Sequence, residues 1–205
     1  MLVSNVIAQR IIETAEQTFL QRGFARVSMD ELADSLGMSK KTLYQHFSGK
    51  DDLLAAVLRH RTETVGRSIL GILESAAPFP EKFRDLLNVI QRRMNEIQPV
   101  FLEDLQRYAP EHFRIIEEFR ARMLPVFFGK ILDEGAAAGL IRGDLDRALF
   151  IRIAVNAIQS LVRPGILTEL KMHPWEGIDG ILQIFFEGIL TPQGRQTCGR
   201  YFLKS

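Results

Sequence analysis

The chain of 205 residues has one cysteine, Cys198, so no disulfide can form within it, and that usage suits a reducing cytoplasm. It has only four histidines. No cysteine–histidine metal spacing, no H-E-x-x-H, no phosphate-binding glycine loop and no G-x-S-x-G occurs. No catalytic residue, metal ligand or cofactor is therefore assigned. Excess charge is missing too: the net value is +1, so a nucleic-acid site has to be a local patch. Long apolar runs are absent. The most apolar segment, Ala148 to Val155, is interrupted by Arg152 and is too short to span a bilayer. The first ten residues do not show the basic start and apolar stretch of a secretory signal. No run alternates apolar and polar residues as a half-buried strand would. These absences predict a soluble, cytoplasmic, all-α protein with no membrane segment.

What is present is helical periodicity. Ile7, Ile11, Ala15 and Phe19 recur every four residues and predict a helix over Ser4 to Arg22 with one buried stripe. Gly23 suits its C-terminal cap, with Phe24 folding back as the apolar contact. Ser28 and Glu31 have capping-box spacing, so a short helix starts at Met29 and ends at Gly37. Ser39 caps another running to about Phe47. Ser48 and Asp51 frame a longer helix from about Lys50 to Glu74, striped by Leu54, Val57, Leu58, Val65, Ile69 and Leu73. "SAAPFP" breaks the chain. Helices follow over residues 81–97, 100–109 and 111–138, the last carrying Pro125 as a kink or break. Residues 139–146 read as a loop. Residues 147–163 and 175–190 make the last two helices. A basic tail after Thr191 is expected to be flexible.

The stretch Gly37 to Lys50, "GMSKKTLYQHFSGK", carries three lysines and no acid. Two short helices joined by a tight turn have helix-turn-helix spacing. Ala33 permits close approach, and Gly37 supplies a positive φ. Leu32, Leu36, Leu43 and Phe47 pack inward against the Ile7, Ile11 and Phe19 stripe. Lys40, Lys41, Thr42 and Tyr44 then face outward, as on a helix that enters the major groove. Ser28 and Lys50 flank the unit near helix starts, where backbone phosphates can lie. A lysine-rich face alone reads as a solvated surface. The small residue, the turn glycine, two capped helices and a local charge of +3 together point to double-stranded DNA.

The segment Ala8 to Leu58 resembles the TetR/AcrR family of bacterial transcriptional repressors. It carries the family's first-helix ending around Phe19 to Phe24 and the run "SMDELADSLGMSKKTLYQHFSGKDDLL". The resemblance implies phosphate contacts for Ser28, Ser39, Tyr44, His46 and Lys50, and places Lys40, Lys41 and Thr42 nearest base edges. His46 also has a packing role open to it at the helix end. Lys41 departs from the glycine or small residue often found there, which leaves open which residue reads bases. The expected architecture is a DNA-binding domain at residues 1–50, a helical effector-binding and dimerisation domain at 51–190, and the tail at 191–205.

Eleven of fourteen phenylalanines lie beyond residue 60. Such residues fill cores in any case, and pockets between helices also hold ligands. A hydrophobic small-molecule effector is expected, lined by Met94, Phe101, Tyr108, Phe113, Met123 and Phe127, with Arg93, His112 and Asn156 orienting a polar end. The helix after Arg147 is apolar nearly all round, apart from Arg152, Asn156, Gln159 and Arg163. It needs burial on two sides. The last helix bears Ile178, Ile181, Leu182, Phe185 and Ile189, with Gly180 and Gly188 open to close crossing. The two resemble the family's dimer-forming pair, and a two-fold dimer reads two half-sites. The expected function is a repressor that an effector releases from its operator by shifting the helix from Lys50 to Glu74. A dimeric helical ligand-binding protein and a helical enzyme, neither binding an operator, are the competing readings.

Overall fold

The structure, a computed structural model, describes residues 2–199. The helical periods of the sequence become α1 (Leu2–Arg22), α2 (Met29–Leu36), α3 (Lys40–His46), α4 (Lys50–Leu73), α5 (Phe79–Asn95) and α6 (Pro99–Tyr108). A 3₁₀ turn (Pro110–His112) leads into α7 (Phe113–Ala137). Then come α8 (Arg147–Leu161), α9 (Pro164–Glu169), α10 (Pro174–Ile189) and α11 (Pro192–Cys198). Among the described residues the only extended pairing is a single antiparallel bridge between Ile141 and Leu190. The chain divides into two compact units. Unit 1 is the chain up to Thr64 together with Glu96–Glu117; unit 2 is Val65–Asn95 with everything from Glu118. The expected boundary at residue 50 thus differs from the observed division, because half of α4 and all of α6 pack with the N-terminal helices.

In unit 1, Ile11, Ala15 and Phe19 of α1 are wholly buried, while Ile7 is only half-buried. Gly23 ends α1 with φ +76°. Ser28 caps α2: its hydroxyl accepts the Glu31 N–H at 3.1 Å, and the Glu31 carboxylate accepts the Ser28 N–H at 2.8 Å. Gly37 closes the helix at φ +64°, and the Met38 N–H returns to the Ala33 carbonyl at 3.0 Å. Arg10 of α1 donates to the Leu36 carbonyl at 3.0 Å, satisfying a second group of that helix end. Ser39 starts α3 by accepting the Thr42 N–H at 3.1 Å. Ala33, Leu32, Leu36, Leu43 and Phe47 are all buried. Arg61, nearly inaccessible, donates to Glu16 at 2.7 Å and Glu96 at 3.1 Å, joining α1, α4 and the lead into α6.

Unit 2 is built on aromatic side chains. Phe79, Phe83, Leu86 and Leu87 form the buried face of α5. Phe83 meets Phe186 of α10 edge-on, with ring centroids 4.7 Å apart. Phe128 of α7 meets Phe150 of α8, which in turn meets Phe185. Lys82 is buried and donates to the Leu73 carbonyl at 3.1 Å and to Glu134 at 2.8 Å, so its charge is paired where it also caps α4.

Of the kink or break expected at Pro125, the break does not occur, since α7 continues through the proline. The segment before α10, given no element by the sequence, contains the short helix α9, with Pro164 at its first turn and Leu167 buried. One expectation fails: the tail expected to be flexible is ordered as α11. Thr191 caps it by accepting the Gly194 N–H at 3.0 Å, and the same hydroxyl donates to the Gly139 carbonyl at 2.8 Å. Cys198 is fully buried, and Gly194 lies so close that a Cβ there would stand 2.0 Å from the Leu140 carbonyl oxygen. Burial and a threonine cap overcome the weak helix preference of this glycine-bearing sequence. Residues 200–205 of the tail lie outside the described residues.

Candidate nucleic-acid interface

α3 is seven residues long, so its position is set by its neighbours rather than by its own stability. Leu43 is wholly inaccessible and Phe47 nearly so, which anchors one side. The other side is open: Lys40, Lys41, Tyr44 and Gln45 are exposed, and Thr42 and His46 are half-buried. Tyr44 is 50% accessible, a large area for an aromatic residue to leave in water. Helix period places Lys41 and Gln45 one turn apart, as it does Lys40 and Tyr44. This face offers ammonium, amide, phenol and hydroxyl groups, which can bond phosphate oxygens and base edges.

The hydroxyls already have local partners. The Ser39 oxygen lies 2.8 Å from the Thr42 hydroxyl. Ser28 is exposed, but its oxygen also sits 3.1 Å from the Glu31 carboxylate. Hydrogen bonds from the Ser28 backbone and hydroxyl hold that carboxylate below its usual pKa, so the cap is ionised at neutral pH. Lys40 pairs with Asp30, and the hydrogen bond it donates to that carboxylate holds its ammonium above the usual pKa. Both partners are solvent-exposed, so phosphate can exchange for Asp30 at little cost. Lys50 is different. Its Nζ donates to the carbonyls of Ala25 at 2.9 Å and Val27 at 3.1 Å. Two of its three donors are thereby directed into the protein.

The nine expected effector-lining residues are divided between the two units. Phe101, Tyr108, His112 and Phe113 belong to unit 1, and Arg93, Met94, Met123, Phe127 and Asn156 to unit 2. Phe101 packs edge-on against Phe24. Tyr108 is exposed, under the Arg107 guanidinium. Phe113 is buried. In unit 2, Phe127 is buried beside Phe128, Met123 lies over Gly66, and Asn156 is exposed.

His112 takes a structural position. Its Nε2 is 3.3 Å from Asp51 Oδ1 and 3.2 Å from the Asp51 carbonyl, and its Nδ1 is 3.4 Å from Glu111 Oε1. These three residues are the one histidine–carboxylate group within metal-sharing distance among the described residues. The carboxylates face different ring nitrogens, whereas a single ion would use one of them, so the arrangement is that of an imidazole spanning two hydrogen-bond partners.

Sequence reasoning missed Gln45, although its place one turn after Lys41 would have shown it. It also missed Asp104, an acid within α6 that is buried and accepts the Ala25 N–H at 2.8 Å. No sequence signal marks that contact, which spans 79 residues.

Comparison with known proteins agrees with this geometry. Residues 11–57 match the family described as bacterial regulatory proteins, tetR family. Across 90% of its length the chain is 24% identical to the HTH-type transcriptional regulator YvaF of Bacillus subtilis (strain 168), covering 96% of that protein. It is 26% identical to the HTH-type transcriptional repressor KstR2 of Mycobacterium tuberculosis, over 76% of this chain and 80% of that one. In fold it is similar to the crystal structure of a transcriptional regulator from Cytophaga hutchinsonii, with a TM-score of 0.68 and 18% identity, covering 89% of this chain and 98% of the other.

Proposed function

We propose, from the premise that this chain is a transcriptional regulator of the tetR family, that it acts in the cytoplasm as a dimeric repressor whose two α3 helices read successive major grooves. The observation that carries the reading is the division of α3 into a buried side, Leu43 and Phe47, and an open side of lysines, Thr42, Tyr44 and Gln45. On this reading Ser28, Ser39, Tyr44 and His46 touch phosphates, while Lys40, Lys41 and Thr42 approach bases. Repression follows the similarity to KstR2, which is named a transcriptional repressor.

A dimer through α8 and α10 is supported by apolar side chains left in water. Leu149 and Ile153, one turn apart on α8, are 53% and 47% accessible, and Ile184 of α10 is 76% accessible. α8 and α10 pack on each other within unit 2, so a second copy could cover both at once.

Release by a hydrophobic effector is supported by the phenylalanine-rich interior of unit 2, in which Met123 and Phe127 are the expected residues best placed to line a ligand. The effector must bind the DNA-competent and DNA-incompetent states unequally. α4 has residues in both units and is the covalent route for that difference.

The test is selection of bound duplexes from a random-sequence pool, followed by affinity measurement. Recovery of a palindromic site, and loss of at least tenfold in affinity on Tyr44→Ala with the helical content intact, is expected. Recovery of no preferred sequence at low salt refutes the reading.

A further inference from the structure

The loop between α1 and α2 is held from two directions. From α4, Lys50 donates to the Ala25 and Val27 carbonyls, with its ammonium 6.0 Å from the Phe24 ring centroid. From α6, the buried Asp104 carboxylate accepts the Ala25 N–H at 2.8 Å. It lies so near Gly23 that a Cβ there would stand 2.4 Å from Asp104 Oδ2. The Gln98 N–H, at the start of α6, bonds the Leu20 carbonyl at 3.0 Å, and Phe24 meets both Phe19 and Phe101 edge-on. Val27 is followed at once by Ser28, the cap of α2, and α2 packs on α3. The loop therefore sets where α2 begins, and α2 sets where α3 lies.

We propose that Lys50 and Asp104 are positioning residues for DNA binding, which clamp the α1–α2 loop and fix α3 through it, and that Lys50 is not a phosphate ligand. The inference rests on the DNA-binding reading above and replaces the phosphate role implied for Lys50 by family resemblance. Charge and geometry make opposite demands at Asp104. Removing an acid from a DNA-binding unit strengthens binding electrostatically. Removing the clamp weakens it. At Lys50 the two roles differ in salt dependence. A lysine that neutralises a phosphate contributes about 0.9 to the slope of log affinity against log salt. A lysine bonded to two carbonyls of its own chain contributes to affinity without that share of the slope.

The experiment uses the full chain and the tightest duplex recovered from the random pool. Affinity is read by fluorescence anisotropy at several salt concentrations and referred to the active fraction of protein. Asp104→Leu is expected to weaken binding by about tenfold, the equivalent of one charge-assisted hydrogen bond. Asp104→Asn keeps an oxygen for the Ala25 N–H and should restore most of the affinity. Lys50→Met should weaken binding by about as much as Asp104→Leu, with the salt slope unchanged.

A slope reduced by about 0.9 in Lys50→Met makes Lys50 a phosphate ligand and overturns the proposal while leaving the DNA-binding reading intact. Tighter or unchanged binding by active Asp104→Leu overturns it too, including the case in which only the melting temperature falls. If the unaltered chain recovers no duplex, the DNA-binding reading fails and takes this inference with it.

Discussion

Gly23 and Gly37 have nearly the same backbone, with φ +76° and +64°, but different surroundings. A Cβ at Gly37 would meet nothing within 4 Å. A Cβ at Gly23 would meet Asp104 Oδ2 at 2.4 Å and Val100 Cγ2 at 3.0 Å. Gly37→Ala therefore incurs only the left-handed strain of an L-residue, about 1 kcal/mol. Gly23→Ala incurs the same strain and also drives the carboxylate off the Ala25 N–H. A charge-assisted hydrogen bond lost from a buried group is worth about 2 kcal/mol, so the total is about 3 kcal/mol. Urea unfolding followed by far-UV circular dichroism measures both. Fluorescence does not serve, because Trp175, the sole tryptophan, belongs to unit 2. In an Asp104→Ala background the penalty of Gly23→Ala should fall toward that of Gly37→Ala. Equal destabilisation at the two glycines, or a gap that survives removal of Asp104, refutes the reasoning.

Arg61→Leu removes the nearer cationic partner of the largely buried Glu16, leaving His60 at 3.7 Å, and should cost about 2 kcal/mol of stability in the same urea assay. A loss within 0.5 kcal/mol, roughly that of an exposed pair, counts against it. Asp179 on α10 has its pKa raised by burial, against which the hydrogen bond from Gln183 works. A raised acid is a penalty on the folded state once both states are ionised, absent below the unfolded pKa and growing as pH rises through the folded one. Asp179→Asn should thus raise the melting temperature at neutral pH, and the gain should vanish below the usual carboxylate range. Ile184→Asp and Leu149→Asp should each shift sedimentation toward the monomer at micromolar concentration, and a dimer unaffected by both excludes α8 and α10 as its interface.

Much of unit 1 was legible because its rules are short-range. Ser28 and Glu31, three residues apart, specify the start of α2; Gly37 specifies its end. Leu43 and Phe47, one turn apart, identify the side of α3 that must be covered. What could not be read depended on distant partners. Asp104 has the local pattern of a surface acid on an amphipathic helix, and only the fold brings it to Ala25. Lys50, at a helix start, reads as a phosphate contact, and nothing local announces the carbonyls more than twenty residues earlier that its ammonium meets. The aromatic residues beyond position 60 are plainly core material, yet nothing in their spacing says that Phe101 and Phe113 serve unit 1 and Phe127 serves unit 2. The segments α9 and α11 are short and carry proline and glycine, so their helicity comes from burial of Leu167 and Cys198.

α11 also governs the order of assembly during synthesis. The last strip of unit 1 to leave the ribosome ends at Glu117, so that unit can close while the rest is still being made. Unit 2 is different: α11 rests on α5 and on the Gly139–Ile141 turn, with Cys198 sealed inside. The part of its interior that α11 covers stays open until codon 198 has been translated and that helix released. A nascent chain halted a dozen codons early would present a finished N-terminal unit attached to one not yet sealed along α5.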